Sequence, residues 1–110
     1  MPRRFPSANE SWIIEEGDVV ITKRSKDGPN ALSNREALIY WLWWADYMMR
    51  NAGNFENAEA SEKDFQQEIV ARAKLLGLRY TLETFALPRS ELQRQYFDRF
   101  EAVCEEIKNI

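Results

Sequence analysis

The chain has 110 residues, of which 45% are hydrophobic and 30% are charged, as is typical of one soluble globular domain spanning residues 1–110. Its net charge of -3 argues against direct binding to nucleic acid, which usually requires a basic face. Without histidine the chain lacks the commonest general base and metal ligand, and with a single cysteine it cannot form an intrachain disulfide.

No segment predicts a signal peptide or a membrane span. The N-terminal residues are basic, but no apolar stretch follows them. The longest apolar run, residues 37–49, is shorter than the roughly 20 residues that cross a bilayer, and it contains Asp46. We therefore expect no membrane partner and a location in the reducing cytoplasm.

The N-terminal quarter predicts an arm and a β-hairpin. Residues 1–10 contain two prolines and little apolar material, and they predict a loose arm. Two runs rich in β-branched residues, 12–14 and 19–21, are separated by the turn-like residues 15–18. This pattern predicts a hairpin over residues 11–24, followed by a polar loop up to Asn34.

Residues 34–108 predict a helical core. Ser33 and Glu36 have the spacing of a capping box, and Gly53 is a natural helix end, which predicts a helix over 34–52. A second helix is expected from a cap at Ser61 to Gly77. Residues 79–87 predict a short third helix, and a cap at Ser90 begins the last one. The expected fold is mainly α, with three to four helices around a central aromatic helix.

The central segment, residues 37–49, is apolar or aromatic except at Asp46. A helix that is apolar on every side must be covered on every side. One face carries an aromatic set of Tyr40, Trp43, Trp44 and Tyr47. This helix either fills the core alone, or fills it on one face and forms an interface, with a second copy or another protein, on the other.

A group of polar residues ends the aromatic segment. Asp46 and Arg50 are one helical turn apart, and Asn51 and Asn54 follow at the helix end, with Tyr47 beside them. These four polar side chains either form a pocket that binds a ligand, or serve structure by pairing Asp46 with Arg50 and completing the helix terminus. A buried carboxylate requires such a partner in either case.

Acidic residues are concentrated between positions 55 and 68, where one lysine accompanies five carboxylates: Glu56, Glu59, Glu62, Asp64 and Glu68. Such a run is either a solvated helix face or an acidic surface that docks a basic protein partner. In the second case charge complementarity would mainly set the encounter rate and the specificity.

The sequence does not predict a catalytic residue, a metal site or a cofactor. Cys104 has acidic neighbours and no histidine to activate it, so it is expected to be a core residue. Three carboxylates, Glu83, Glu91 and Asp98, have a spacing that does not distinguish them from helix surface charge. Phosphate-binding loops, nucleophile elbows and metal motifs are not found.

Three short stretches carry a resemblance to a known family. They are residues 49–55, which end the long apolar helix, residues 76–78, and residues 96–98 in the terminal helix. In this order, over residues 35–108, the chain resembles a bacterial family of small helical proteins of mostly unknown function, some of which are DNA mimics that bind a transcription regulator. The family's Asn-Gly-Gly-Phe turn corresponds here to residues 51–55, with one residue more and one glycine fewer. The resemblance implies a non-catalytic regulatory or binding protein.

Three functional hypotheses follow. The first is a non-catalytic interaction or regulatory protein whose partner contacts an aromatic or acidic surface made of Trp43, Trp44, Tyr47, Glu56, Glu59 and Glu62. The second is a small-ligand-binding protein or enzyme that uses the polar residues around Asp46. The third is a structural subunit of a larger complex, which would expose an apolar patch when alone.

Overall fold

The computed structural model describes residues 7–56 and 64–110, and five α-helices occur in these two ranges. They are α1 (Ala8–Asp27), α2 (Asn34–Ala52), α3 (Phe65–Leu76), α4 (Arg79–Phe85) and α5 (Arg89–Lys108), with a short 3-10 turn at Pro29–Ala31. The mainly α fold is therefore confirmed. The expected number of three to four helices was too low, because the N-terminal segment is also helical.

The predicted hairpin over residues 11–24 is wrong, since these residues lie within helix α1. Ile13, Gly17 and Val20 are buried at helical spacing, and packing of this stripe overrides the strand preference of the β-branched residues. Ser7 caps the helix by accepting a hydrogen bond from the backbone N–H of Glu10 at 3.1 Å. Residues 7–10 of the expected loose arm thus begin a helix, and residues 1–6 lie outside the described residues.

Helix α2 has the predicted limits. The Ser33 side chain accepts from the Glu36 N–H, and the Glu36 carboxylate accepts from the Ser33 N–H, so the capping box is complete. Gly53 ends the helix with φ 73°, a left-handed conformation that favours glycine. The aromatic segment is therefore one uninterrupted helix.

The later helices differ from the prediction mainly at their starts. Asp64 caps α3 through the backbone N–H of Gln66, whereas the expected cap at Ser61 lies outside the described residues. The third helix ends at Phe85 and not at Leu87. Helix α5 begins at Arg89 after Pro88, so Ser90 lies within its first turn and is not its cap.

Helix α2 lies at the centre of the molecule, with α1 and α3 packed against it. Its core face carries Leu38, Leu42, Ala45 and Met49, which pack with the buried stripes of the other helices. In the described residues, these stripes are Ile13 and Val20 from α1, Phe65, Ile69 and Ala73 from α3, Phe85 from α4, and Leu92, Tyr96, Phe100, Val103, Cys104 and Ile107 from α5. Among residues 7–56 and 64–110, none of the helices combines the length and the apolarity needed to cross a bilayer.

Candidate functional site

The outward side of α2 is aromatic and reaches solvent. Tyr40, Trp43 and Trp44 are half-buried, and Tyr47 is 51% exposed. We call these four residues the aromatic face. Trp43 packs against α1, and Tyr40, Trp43 and Trp44 are each partly buried against the core, so Tyr47 is the most exposed of the four. The rings of Trp43, Trp44 and Tyr47 contact one another, whereas the Tyr40 ring contacts Trp41 and the Arg24 guanidinium.

The rings of the aromatic face hold one another in fixed positions. Trp43 stacks on Tyr47 with ring centroids 5.4 Å apart and planes 21° apart. Trp44 meets both rings edge-on, at 5.4 Å from Trp43 and 6.1 Å from Tyr47. Such aromatic pairs each contribute about 0.5 to 1.5 kcal/mol beyond the burial of area. The face is therefore an ordered surface before anything binds to it.

Helix α1 borders the aromatic face through Gly17. A Cβ atom at this position would lie 2.3 Å from Cδ1 of Trp43, so only glycine allows the indole to lie against the α1 backbone. Ile14 and Asp18, four residues apart, share one side of α1 next to Gly17, and both are exposed. Ile14 is 49% exposed, which extends the apolar surface beyond α2.

A positive charge lies at one end of the aromatic face. Towards the start of α2, the Arg24 guanidinium lies 4.6 Å from the centroid of the Tyr40 ring. After the end of α2, Glu56 is exposed. The other two acidic residues predicted to bind a partner, Glu59 and Glu62, lie outside the described residues.

Asp46 lies on the inner side of α2, where it is buried and its carboxylate oxygens both accept hydrogen bonds. It is 4% exposed and accepts hydrogen bonds from Nε of Arg50 at 2.9 Å and from the Tyr96 hydroxyl at 2.8 Å. The bond from Tyr96 joins α2 to α5, and it spans 50 residues of sequence. Removing one partner from such a buried pair typically costs about 3 to 5 kcal/mol.

Arg50 extends this network to a third helix. Its Nη1 lies 3.1 Å from the Glu10 carboxylate of α1, and its guanidinium lies over the rings of Phe97 and Phe100 at 5.1 and 4.9 Å. One arginine therefore connects α1, α2 and α5, with a carboxylate on two sides and aromatic rings on a third.

Burial raises the pKa of Asp46 above its ordinary value, and the hydrogen bonds from Tyr96 and Arg50 oppose this shift. The pKa of the Tyr96 hydroxyl is raised well above its usual range, first by burial and then by the neighbouring Asp46 charge. Tyr96 therefore stays protonated and keeps donating to the carboxylate.

The polar residues predicted to form a ligand pocket are not brought together. Asp46 and Arg50 pair with each other, but the Asn51 amide donates to the backbone oxygen of Tyr47 and the Asn54 amide to that of Ala52. Asn51 is exposed, whereas Asp46 faces the core. A buried and paired Asp46 counts against the ligand-pocket hypothesis.

The remaining candidates for chemistry are structural or on the surface. Cys104 is buried, and burial raises the pKa of its thiol, with the charge of Asp46 adding to the effect. Glu83 pairs with Arg79, and Glu91 pairs with Arg94. Within the described ranges, no group of three acidic or cysteine side chains is arranged to hold a metal ion.

Three residues that build this region, Gly17, Glu10 and Tyr96, are not predicted as site residues from the sequence. The residues around Gly17 predict a turn, although the spacing of Gly17 from Ile13 and Val20 is helical. Ser7 and Glu10 have the same Ser-x-x-Glu spacing that correctly placed the start of α2. The pairing of Tyr96 with Asp46 has no local signal, because it depends on how α2 and α5 pack.

Comparison of the chain with protein-family models, with characterised proteins and with solved structures gave no match in any of the three.

Proposed function

We propose that this chain is a non-catalytic protein-interaction domain that acts in the cytoplasm and binds a protein partner through the aromatic face of α2. The observation that carries the proposal is the ordered cluster of Trp43, Trp44 and Tyr47 on the solvent side of the central helix. Tryptophan and tyrosine are the side chains most often found at energetic hot spots of protein interfaces.

The rigidity of this cluster supports the proposal. Ordering side chains on binding costs about 0.5 to 1.5 kcal/mol for each flexible residue. Trp43, Trp44 and Tyr47 already hold one another through three ring contacts, so a partner would meet a surface that needs little further ordering. Exposed Ile14 on α1 widens the apolar area available to that partner.

The carboxylate of Asp18 favours a partner segment that is apolar and basic. Asp18 lies on the same side of α1 as Ile14, is exposed, and has no ion-pair partner among the described residues. A lysine or arginine of the partner could meet this carboxylate and also lie over an indole ring.

Photo-crosslinking tests the proposal. A benzoyl-phenylalanine placed at Tyr47 should crosslink to a partner in extracts of the source cells, and mass spectrometry of the product should identify a contact peptide that contains lysine or arginine. Trp44→Ala and Asp18→Lys should each abolish the crosslink. Leu75, 67% exposed on α3, gives the control position, where the same probe should not yield this product.

Two outcomes would overturn the proposal. Equal crosslinking from positions 47 and 75, or a product from position 47 that persists in Trp44→Ala, would remove the aromatic face from the interaction. Light scattering at several protein concentrations is the companion measurement. A dimer that Trp44→Ala dissociates would make a second copy of this chain the occupant of the face, in place of a basic partner.

A further inference from the structure

Two tryptophans of the aromatic face each keep a hydrogen-bond donor that no protein group uses. The indole Nε1–H groups of Trp43 and Trp44 donate to no acceptor within residues 7–56 and 64–110. In the same ranges, the buried side-chain nitrogens and oxygens without a partner belong to Asn9, Arg35, Arg72 and Thr81. Because neither indole nitrogen is one of these buried atoms, both reach solvent, and a ligand on the face can accept from them.

The indole donors select among the conformations that a bound segment could have. Along an α-helix the backbone carbonyls are already paired with N–H groups of the next turn, so a helical segment offers few free acceptors. An extended strand pairs with the edge of a sheet, and the described residues contain helices and no strand. A polyproline II helix has no internal hydrogen bonds, so its carbonyls are free to accept from the indoles.

The arrangement of the rings fits the same conformation. The Trp44 ring stands at 80° to Trp43 and at 79° to Tyr47, with centroid distances of 5.4 and 6.1 Å. An edge-on ring beside two others leaves a step on the surface, against which a flat pyrrolidine ring can pack. A polyproline II helix rises about 3.1 Å per residue, so about two of its residues span each centroid distance. A short run of prolines therefore reaches all three rings.

Asp18 adds a charge that a partner segment has to match. It directly follows Gly17, the α1 residue that lies against the Trp43 side chain. Its carboxylate is exposed and has no ion-pair partner among the described residues. An arginine or lysine next to a run of prolines can pair with this carboxylate while the prolines lie on the rings. The charge therefore favours a basic segment over a neutral or acidic one.

We propose that the aromatic face binds a proline-rich, basic segment of a partner protein in the polyproline II conformation. The prolines pack on the rings of Trp43, Trp44 and Tyr47, the segment's carbonyls accept from the two indole N–H groups, and its arginine or lysine pairs with Asp18. Such a segment is already stiff before it binds, and the rings already hold one another, so little order has to be gained on either side. This inference rests on the proposed function and names the chemistry of its partner.

Selection from two displayed peptide libraries tests the proposal. One library fixes the pattern Pro-x-x-Pro with an arginine at either end and varies the other positions, and the second library has alanine in place of both prolines. The immobilised full chain should enrich peptides from the proline library and not from the alanine library. Trp44→Ala should lose this enrichment. Leu75→Ala, which changes an exposed residue of α3, is the control and should enrich the same peptides as the wild type.

Titration with the most enriched peptide tests the individual contacts. The indole N–H resonances of Trp43 and Trp44 should shift in the unmodified protein as the peptide binds. Trp44→Phe keeps an aromatic ring and removes the donor, so it should weaken binding about fivefold. Asp18→Asn should weaken binding about threefold, as expected for loss of an exposed ion pair. Asp98→Asn, which removes an exposed charge on α5, is the matched control and should leave the affinity unchanged.

Several results would overturn the proposal. Enrichment from the alanine library equal to or above that from the proline library would make a helical segment the occupant. No enrichment from the proline library, or indole resonances that do not shift, would refute it without any substitution, even if Trp44→Ala does not fold. A partner crosslinked at position 47 through a peptide without proline would overturn this inference and leave the proposed function in place, whereas equal crosslinking from positions 47 and 75 would remove both.

Discussion

Replacing Gly17 by alanine should destabilise the protein, although alanine normally stabilises a helix. The new Cβ would lie 2.3 Å from Cδ1 and 2.8 Å from Cγ of Trp43, and 3.2 Å from its Cβ. These atoms form the base of the indole side chain, so a rotation at the tip of the ring cannot relieve the contact. Either the whole side chain or the α1 backbone has to move.

Two opposing effects set the magnitude. In a helix interior, alanine is about 1 kcal/mol more favourable than glycine. Overpacking a core typically costs about 1 to 3 kcal/mol, and a contact of 2.3 Å, far inside van der Waals distance, justifies the upper value. The net expectation is a loss of about 2 kcal/mol, which lowers Tm by about 8 °C for a chain of this length.

A double-mutant cycle with Trp43→Ala isolates the clash. Urea unfolding of the four proteins should show Gly17→Ala as destabilising by about 2 kcal/mol in the wild type, and as stabilising by about 1 kcal/mol when Trp43 is absent. The coupling between the two sites is then about 3 kcal/mol. A Gly17→Ala variant as stable as the wild type, or a coupling below about 0.5 kcal/mol, would refute the close packing of α1 on the aromatic face.

Four further expectations concern the buried network, the helix caps and the thiol. Tyr96→Phe removes the hydroxyl that donates to Asp46 and should cost about 1.5 to 3 kcal/mol in urea unfolding, while an unchanged stability would contradict the bond. The pKa of Asp46 is raised, so the folded state binds its proton more tightly than the unfolded state does. The stability of the wild type relative to Asp46→Asn should therefore be greatest below pH 3.8, and it should decrease as the pH rises through the folded-state pKa. A flat difference across that range would contradict the shift. Ser33→Ala should lower the free energy of unfolding by about 1 kcal/mol and Ser90→Ala by less than about 0.5 kcal/mol, because of these two serines only Ser33 caps a helix. Equal losses of stability in thermal unfolding would refute this assignment. Cys104 should react with a thiol reagent only as fast as the protein opens, and rapid labelling of the native state would show that it is not buried.

The parts of the fold that local chemistry determines could be predicted from the sequence. The limits of α2 follow from the Ser33–Glu36 box and from Gly53, because each makes or ends backbone hydrogen bonds within a few residues. Helix α1 was missed because its β-branched runs favour a strand locally, and the packing of Ile13 and Val20 on α2 outweighs that preference.

The candidate site was predictable only in part, for a related reason. Helical spacing is enough to group Trp43, Trp44 and Tyr47 on one face and to pair Asp46 with Arg50. Spacing does not indicate which helix covers which side of α2. The amides of Asn51 and Asn54 donate to backbone oxygens within four residues of themselves, whereas the bond from Tyr96 to Asp46 depends on the packing of helices distant in sequence.

The contacts between the first and last helices have a consequence for synthesis on the ribosome. The buried amide of Asn9 donates to the backbone oxygen of Glu101, 92 residues later, and the Lys108 ammonium lies 5.4 Å from the centroid of the Trp12 ring. Helix α1 is among the first described segments to emerge from the ribosome. The side of α1 that packs on α5 stays uncovered until α5 has also been synthesised. During that interval the nascent chain exposes apolar surface that a chaperone could recognise, and its final closure must wait for almost the whole described chain.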